Sequence, residues 1–279
     1  MEIVDGQIHT WRGVNPDSLV APHIAGEFDE RRVLPLMDAA GVDKAILVTT
    51  VWTDSGNDVQ LDMARRHPDR FRVMGYLAID DPESRGRLTT WLSQPGMVGV
   101  RASFSRRRHA VWLTDGTADW FFEEAASAGV PVMAYAPLRV ADLGAYARKH
   151  PELRLIADHM AVRLTVTGAE LKPYIDELVK LAPLENVAVK VSSLPHFSGE
   201  PYPHADVQPH LLRVIEAFGA GRCFWGTDLT WGADGKPLEP LYREAVSMMG
   251  VALEGLSQSE RGSIMGAGIL RWLGWPSLL

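Results

Sequence analysis

Several short stretches of this 279-residue chain hold groups that could bind, polarise and hydrolyse a small molecule. The first reads Asp5-Gly6-Gln7-Ile8-His9-Thr10-Trp11, with an acid, an amide and an imidazole at alternate positions. Arg101 and Ser103 follow, then Tyr135, the pair Asp158-His159, the triplet Lys190-Val191-Ser192, and Trp225-Gly226-Thr227-Asp228. An acid that ends a buried apolar run is costly unless it has a role, which makes Asp228 the foremost candidate. A carboxylate can take a proton from attacking water, best when partial burial brings its pKa toward working pH. Imidazoles can stabilise a developing oxyanion. Arginine grips a carboxylate with a planar fork, lysine with a point charge. Each group also has a structural alternative. Asp5 could bond backbone at a rim, Gln7 could be a satisfied core amide, and His9 a packed core imidazole. Asp158 could close a hydrogen-bond network, and Lys190 could be a buried ion-pair partner.

Those groups fall at the ends of apolar runs that read as strands: Ile3–Ile8, Lys44–Thr49, Arg72–Ile79, Met97–Ser103, Pro131–Ala136, Leu153–Ala157, Val187–Ser192 and Arg222–Thr227. The runs are rich in Val, Ile and Leu with little alternation, as parallel strands covered on both faces should be. Helical periodicity separates them. Val33, Leu36, Met37 and Ala40 share one face, with Asp29 and Glu30 before them and Gly41 just beyond. Ser257 and Glu260 fit a capping box that opens a last helix. Eight strands at roughly 35-residue spacing fit a single (β/α)8 TIM barrel over residues 1–279 better than a doubly wound sheet. In such a barrel the strand ends form the active site. Side-chain alternation puts residues 5, 7 and 9 on one face of the first strand.

Taken in this order, Asp5-x-Gln7-x-His9-x-Trp11, Gly99-Val100-Arg101, Asp158-His159, Lys190-Val191-Ser192 and Trp225-Gly226-Thr227-Asp228 resemble the amidohydrolase superfamily. The likeness is to its lactonase-like branch, which includes 2-pyrone-4,6-dicarboxylate lactonase. The resemblance implies a TIM-barrel hydrolase in which a first-strand His-x-His and the eighth-strand Asp hold a divalent metal, with a fifth-strand His or carboxylated Lys. This chain departs from that pattern: Gln7 stands for the first His, and Tyr135 is what the fifth strand offers. A carboxamide oxygen is a weak zinc ligand. A metal-free site is therefore the favoured expectation, as in the lactonase the chain resembles. Were a single zinc or manganese bound, His9, His159 and Asp228 would be its ligands.

The expected chemistry is water attack on a lactone or another small carboxylated ester or amide. Asp228 is the general base, and His159 and His9 donate to the carbonyl oxygen. Gln7, Arg101, Tyr135 and Lys190 are expected to bind substrate, with His196 and Tyr202 from the long loop after the seventh strand. Trp11 and Trp52, with Trp231, lie just beyond strand ends, where they could stack on a flat ring. A planar, anionic small molecule is the expected partner. Two other readings stand beside this one. The first is metal-dependent decarboxylation of an aromatic or unsaturated acid. The second is a barrel that has lost catalysis and binds a ligand or partner, motivated by Gln7 and Tyr135.

Composition narrows the rest. Hydrophobic residues make up 46% and charged residues 23%, ordinary values for a folded protein. A net charge of −7 argues against a nucleic-acid binder. Cys223 is the lone cysteine, which excludes an internal disulfide framework. The apolar runs are too short for a membrane span, and the N-terminus lacks the pattern of a secretory signal, so a cytoplasmic protein is expected. A homo-oligomer is left open, dimers being the commonest closed assembly.

Overall fold

The computed structural model describes residues 1–13, 26–49, 56–105, 107–230 and 236–277. Eight parallel strands form one sheet in chain order: β1 (Val4–Ile8), β2 (Lys44–Val48), β3 (Phe71–Tyr76), β4 (Met97–Ser103), β5 (Val132–Tyr135), β6 (Leu155–Ala157), β7 (Val187–Ser192) and β8 (Cys223–Gly226). Parallel neighbours need a crossover, and helices such as Glu30–Ala40, Asp58–Arg66, Val140–Lys149 and Gln208–Phe218 supply it. The result is the TIM-barrel architecture. The expected end signals operate: Asp29 caps the helix Glu30–Ala40 and Gly41 closes it in the left-handed conformation. Ser257 and Glu260 form the reciprocal capping box.

Two apolar layers result. The larger lies between strands and helices. The smaller fills the barrel's lower interior with Val4, Ile46, Met74, Met133, Ile156 and Phe224, and Ile269, Leu273 and Trp275 of the C-terminal segment close it from below. Above that floor the interior turns polar.

The seam between β1 and β8 depends on two glycines. A Cβ on Gly6 would lie 2.6 Å from the Trp225 carbonyl oxygen, and one on Gly226 would lie 3.0 Å from the Gln7 nitrogen. With neither present, the strands approach closely enough for Asp228 N–H to donate to the Gln7 carbonyl at 3.0 Å.

The first strand differs from simple alternation. Its register against β2 shifts between Asp5 and Ile8. Asp5 therefore turns toward the helix layer, where it accepts from Thr227 N–H at 2.8 Å and from the Thr227 hydroxyl at 2.5 Å, beside the buried Tyr242 phenol. Gln7 and His9 point inward instead. The expectation that residues 5, 7 and 9 share a face is thus corrected: an irregularity in the ladder flips the phase between Asp5 and Gln7. No helix among the described residues is long and apolar enough to cross a membrane.

Candidate active site

At the C-terminal end of the barrel, Gln7, His9, His159 and Asp228 meet in one buried cluster. Each comes from a different strand end, except that Gln7 and His9 share the first. The Gln7 amide nitrogen lies 3.1 Å from His9 Nε2, 3.1 Å from His159 Nε2 and 3.2 Å from Asp228 Oδ1. His9 Nδ1 donates to the Val48 carbonyl at 2.8 Å, which fixes its tautomer and turns Nε2 toward Asp228 Oδ1, 3.2 Å away. Three of the groups that build this cluster sit in left-handed backbone: His159 (φ 50°), Ser193 (φ 59°) and Asp228 (φ 57°). Such conformations cost about 1–3 kcal/mol each for non-glycine residues and tend to persist where function holds them. Here they turn side chains at the ends of β6, β7 and β8 back over the barrel mouth.

Ser192 and Ser193 fix His159 from behind, their hydroxyls 2.8 and 3.1 Å from its Nδ1. The Ser193 hydroxyl donates to Asp228 Oδ2 at 3.3 Å, so it accepts from His159 Nδ1–H and leaves Nε2 with a lone pair. Burial lowers the His159 pKa to about 4, against the opposing pull of Asp158 and Asp228, so the ring is neutral at ordinary pH. Burial alone would raise the Asp228 carboxyl. The polar and charged groups around it, His9, His159 and Lys190 among them, outweigh burial and hold Asp228 well below the usual carboxylate range.

Beneath this layer lies an ion-pair cluster. Asp158 takes Lys190 Nζ at 2.6 Å on one oxygen, and Arg101 Nη2 and Nε at 3.1 and 3.2 Å on the other. Burial pushes the Asp158 carboxyl up, but the positive groups around it bring the pKa below its ordinary value. Burial lowers the Lys190 pKa, with Asp158 opposing. Lys190 is 0% exposed and donates to Gln7 Oε1. Its contacts in the structure are those of the buried ion-pair alternative. Arg101 keeps a partly exposed side chain over the Tyr135 ring, 5.9 Å from its centroid.

The remaining expected site residues divide. The Tyr135 hydroxyl donates to the Val162 carbonyl and accepts from Leu164 N–H, and its ring packs edge-on against His159 at 5.3 Å. That is a wall, tied on both sides. Trp11 is 2% exposed, packs on Phe28 and donates to the Gly26 carbonyl, so packing accounts for it. Trp52 and Trp231 lie outside the described residues. His196 bonds the Leu164 carbonyl and lines a cavity of about 190 Å³ with Ser193, His204, Thr227, Leu229 and Glu244, next to Asp228. Tyr202 is 44% exposed, its ring 6.3 Å from that of His204. Sequence reasoning passed over Ser193, although a serine just past a strand that ends Lys-x-Ser was the available signal.

The resemblance implies a divalent metal, and the donor set does not fit one. The space between the two imidazoles and the carboxylate is taken by an amide N–H2, a donor with no lone pair to offer. Among the described residues, no group of three or more His, Cys, Asp or Glu is arranged to hold a metal ion.

Comparison with known proteins agrees with this architecture. A 24% identical relative, the L-fucono-1,5-lactonase of Burkholderia ambifaria, aligns over 233 residues, 81% of this chain and 79% of its own length. An amidohydrolase from Burkholderia multivorans superposes with TM-scores of 0.80 with HEPES bound and 0.79 with zinc bound. It is 21% and 22% identical in those two structures, which cover 99% of this chain and 100% of their own. A probable 2-pyrone-4,6-dicarboxylic acid hydrolase from Acinetobacter baumannii, with citric acid bound, gives 0.77 at 18% identity, covering 98% of this chain and 100% of its own. The amidohydrolase family model matches residues 4–275, and the chain belongs to that family.

Proposed function

We propose that the protein hydrolyses a small lactone bearing an anionic group, by water attack with Asp228 as general base. The observation that carries this reading is the contact of Asp228 Oδ1 with His9 Nε2 at 3.2 Å. The carboxylate is ionised and acceptor-ready, and a base stands next to it to receive the proton. Water oxygen adds to the lactone carbonyl carbon as its proton passes to Asp228 and on to His9. The tetrahedral intermediate then expels the ring oxygen, and the proton returns to that alkoxide to give the hydroxy acid. His159, neutral and anchored by serines, orients Gln7 and Asp228 rather than acting as the donor its position suggested. Arg101 spends two N–H groups on Asp158 and offers the remaining ones to a substrate carboxylate or the oxyanion.

The relatives' names, a fucono-lactonase and a pyrone-dicarboxylate hydrolase, support ester-ring opening over amide cleavage. Metal-dependent decarboxylation is the weaker reading, because Gln7 stands where its metal would be. A planar substrate has less support than an anionic one, since Trp11 is spent on packing. The test is a pH-indicator screen of sugar aldonolactones, carboxylated pyrones and simple esters with the purified chain. Turnover of a carboxylated or sugar lactone is expected. Binding without turnover across the panel would contradict the reading and favour a ligand-binding barrel.

A further inference from the structure

We propose that the Gln7 carboxamide, held by Lys190, is a built-in substitute for a divalent cation. It occupies the position between His9, His159 and Asp228 and closes it to metal. The orientation of the amide follows from elementary valence. Lys190 Nζ has only donors to offer, so Gln7 Oε1 faces it and the N–H2 faces the other way. On that far side stand three acceptors at 3.1, 3.1 and 3.2 Å. The Val48 carbonyl holds a proton on His9 Nδ1, and the Ser193–Asp228 bond holds one on His159 Nδ1, so both rings turn Nε2 toward the same point. Neutral imidazoles whose other nitrogen is tied down in this way are what a metal site would require. A zinc-like ion would need to sit about 2.0–2.2 Å from those atoms, inside the volume the amide nitrogen fills.

Charge agrees with geometry. The buried cluster already sets Arg101 and Lys190 against Asp158 and Asp228. A dication added there would leave uncompensated positive charge in a buried cluster, which is costly. Gln7 and Lys190 are both fully buried, so the pair is part of the barrel interior and not a mobile gate. Lys190 supplies the positive charge and the amide turns it into two directed protons. This assignment goes beyond the proposed reaction: it holds for any ester, and its test reads metal binding rather than turnover.

The experiment uses the full chain stripped with a chelator and titrated with Co(II), followed by d–d absorption and by equilibrium dialysis for stoichiometry. Wild type is expected to show no stoichiometric site. Gln7→Ala, which empties the central position, and Gln7→His, which adds a third imidazole, are each expected to bind one Co(II) per chain. The affinity gain should reach about 100-fold, the upper range that even outer partners of a metal site contribute. Adding His9→Ala to either variant should abolish it. Stoichiometric Co(II) on wild type, lost in His9→Ala, would overturn the proposal. So would failure of either variant to gain a site while its thermal transition stays cooperative. The wild-type arm decides even if both variants fail to fold.

Discussion

Asp228 is pulled in two directions, and its value as a base depends on which prevails. Burial favours the neutral acid, while the hydrogen bonds from Gln7 and Ser193 and the charges around the group favour the carboxylate and win. The group is thus a weak base, which suits an activated ester better than an amide. Ser193 supports the arrangement without reacting in it. Ser193→Ala should lower kcat about ten- to hundredfold, with KM little changed, because one hydrogen bond to a charged group is worth about 1.5–3 kcal/mol. Complete loss of activity, or a covalent acyl-enzyme in mass spectrometry, would make Ser193 a nucleophile and contradict that role. Arg101→Lys keeps a charge against Asp158 and loses the fork. It should raise KM for a carboxylated lactone about tenfold and leave a neutral lactone unaffected. Equal changes for both substrates would place Arg101 outside the binding site.

The strands were legible because apolar runs buried on both faces leave a plain signal, and each acid or base at a strand end stands out against it. Met97–Ser103 and Val187–Ser192 have the expected bounds, and the other strands differ by one to three residues at an end, the third stopping at Tyr76 where Ile79 was expected. The phase of β1 was not legible, because the ladder shift between Asp5 and Ile8 leaves no mark on residue types. Nor was the fate of Trp11, whose partner Phe28 lies seventeen positions on in sequence but directly across a bridge. The Asp228–Gln7 contact belongs to the β1–β8 seam, so it is vulnerable there. Gly6→Ala would press a methyl group against the Trp225 carbonyl at 2.6 Å. Overpacking of this kind typically costs about 1–3 kcal/mol. Urea unfolding should show that loss, with kcat reduced alongside. An unchanged midpoint and rate would mean that the seam has slack the structure does not display.

Over the whole molecule, buried titratable groups couple the site to acid stability. The His159 pKa is lowered to about 4 from 6.5, so between those values the unfolded chain binds a proton that the folded chain refuses. That contribution is intact above pH 6.5 and is lost as pH falls toward 4, by roughly 3 kcal/mol. Asp158 and Asp228, both held below their ordinary values, add further loss below about pH 4 in the same direction. Thermal or urea unfolding at pH 8, 6 and 4.5 should therefore show a steady decline. A flat profile would mean that His159 is protonated in the native state.

The central claim is that Asp228 takes the proton from water in ester hydrolysis. Its most direct measurement is kcat/KM for the best lactone of the screen, wild type against Asp228→Asn, with circular dichroism and a cooperative unfolding transition as controls for folding. A loss of about a thousandfold or more is expected, within the usual range for a positioned general base, in a variant that still folds. Hydrolysis retained within about tenfold of wild type would contradict it, since a loss that small falls below what such a base typically contributes.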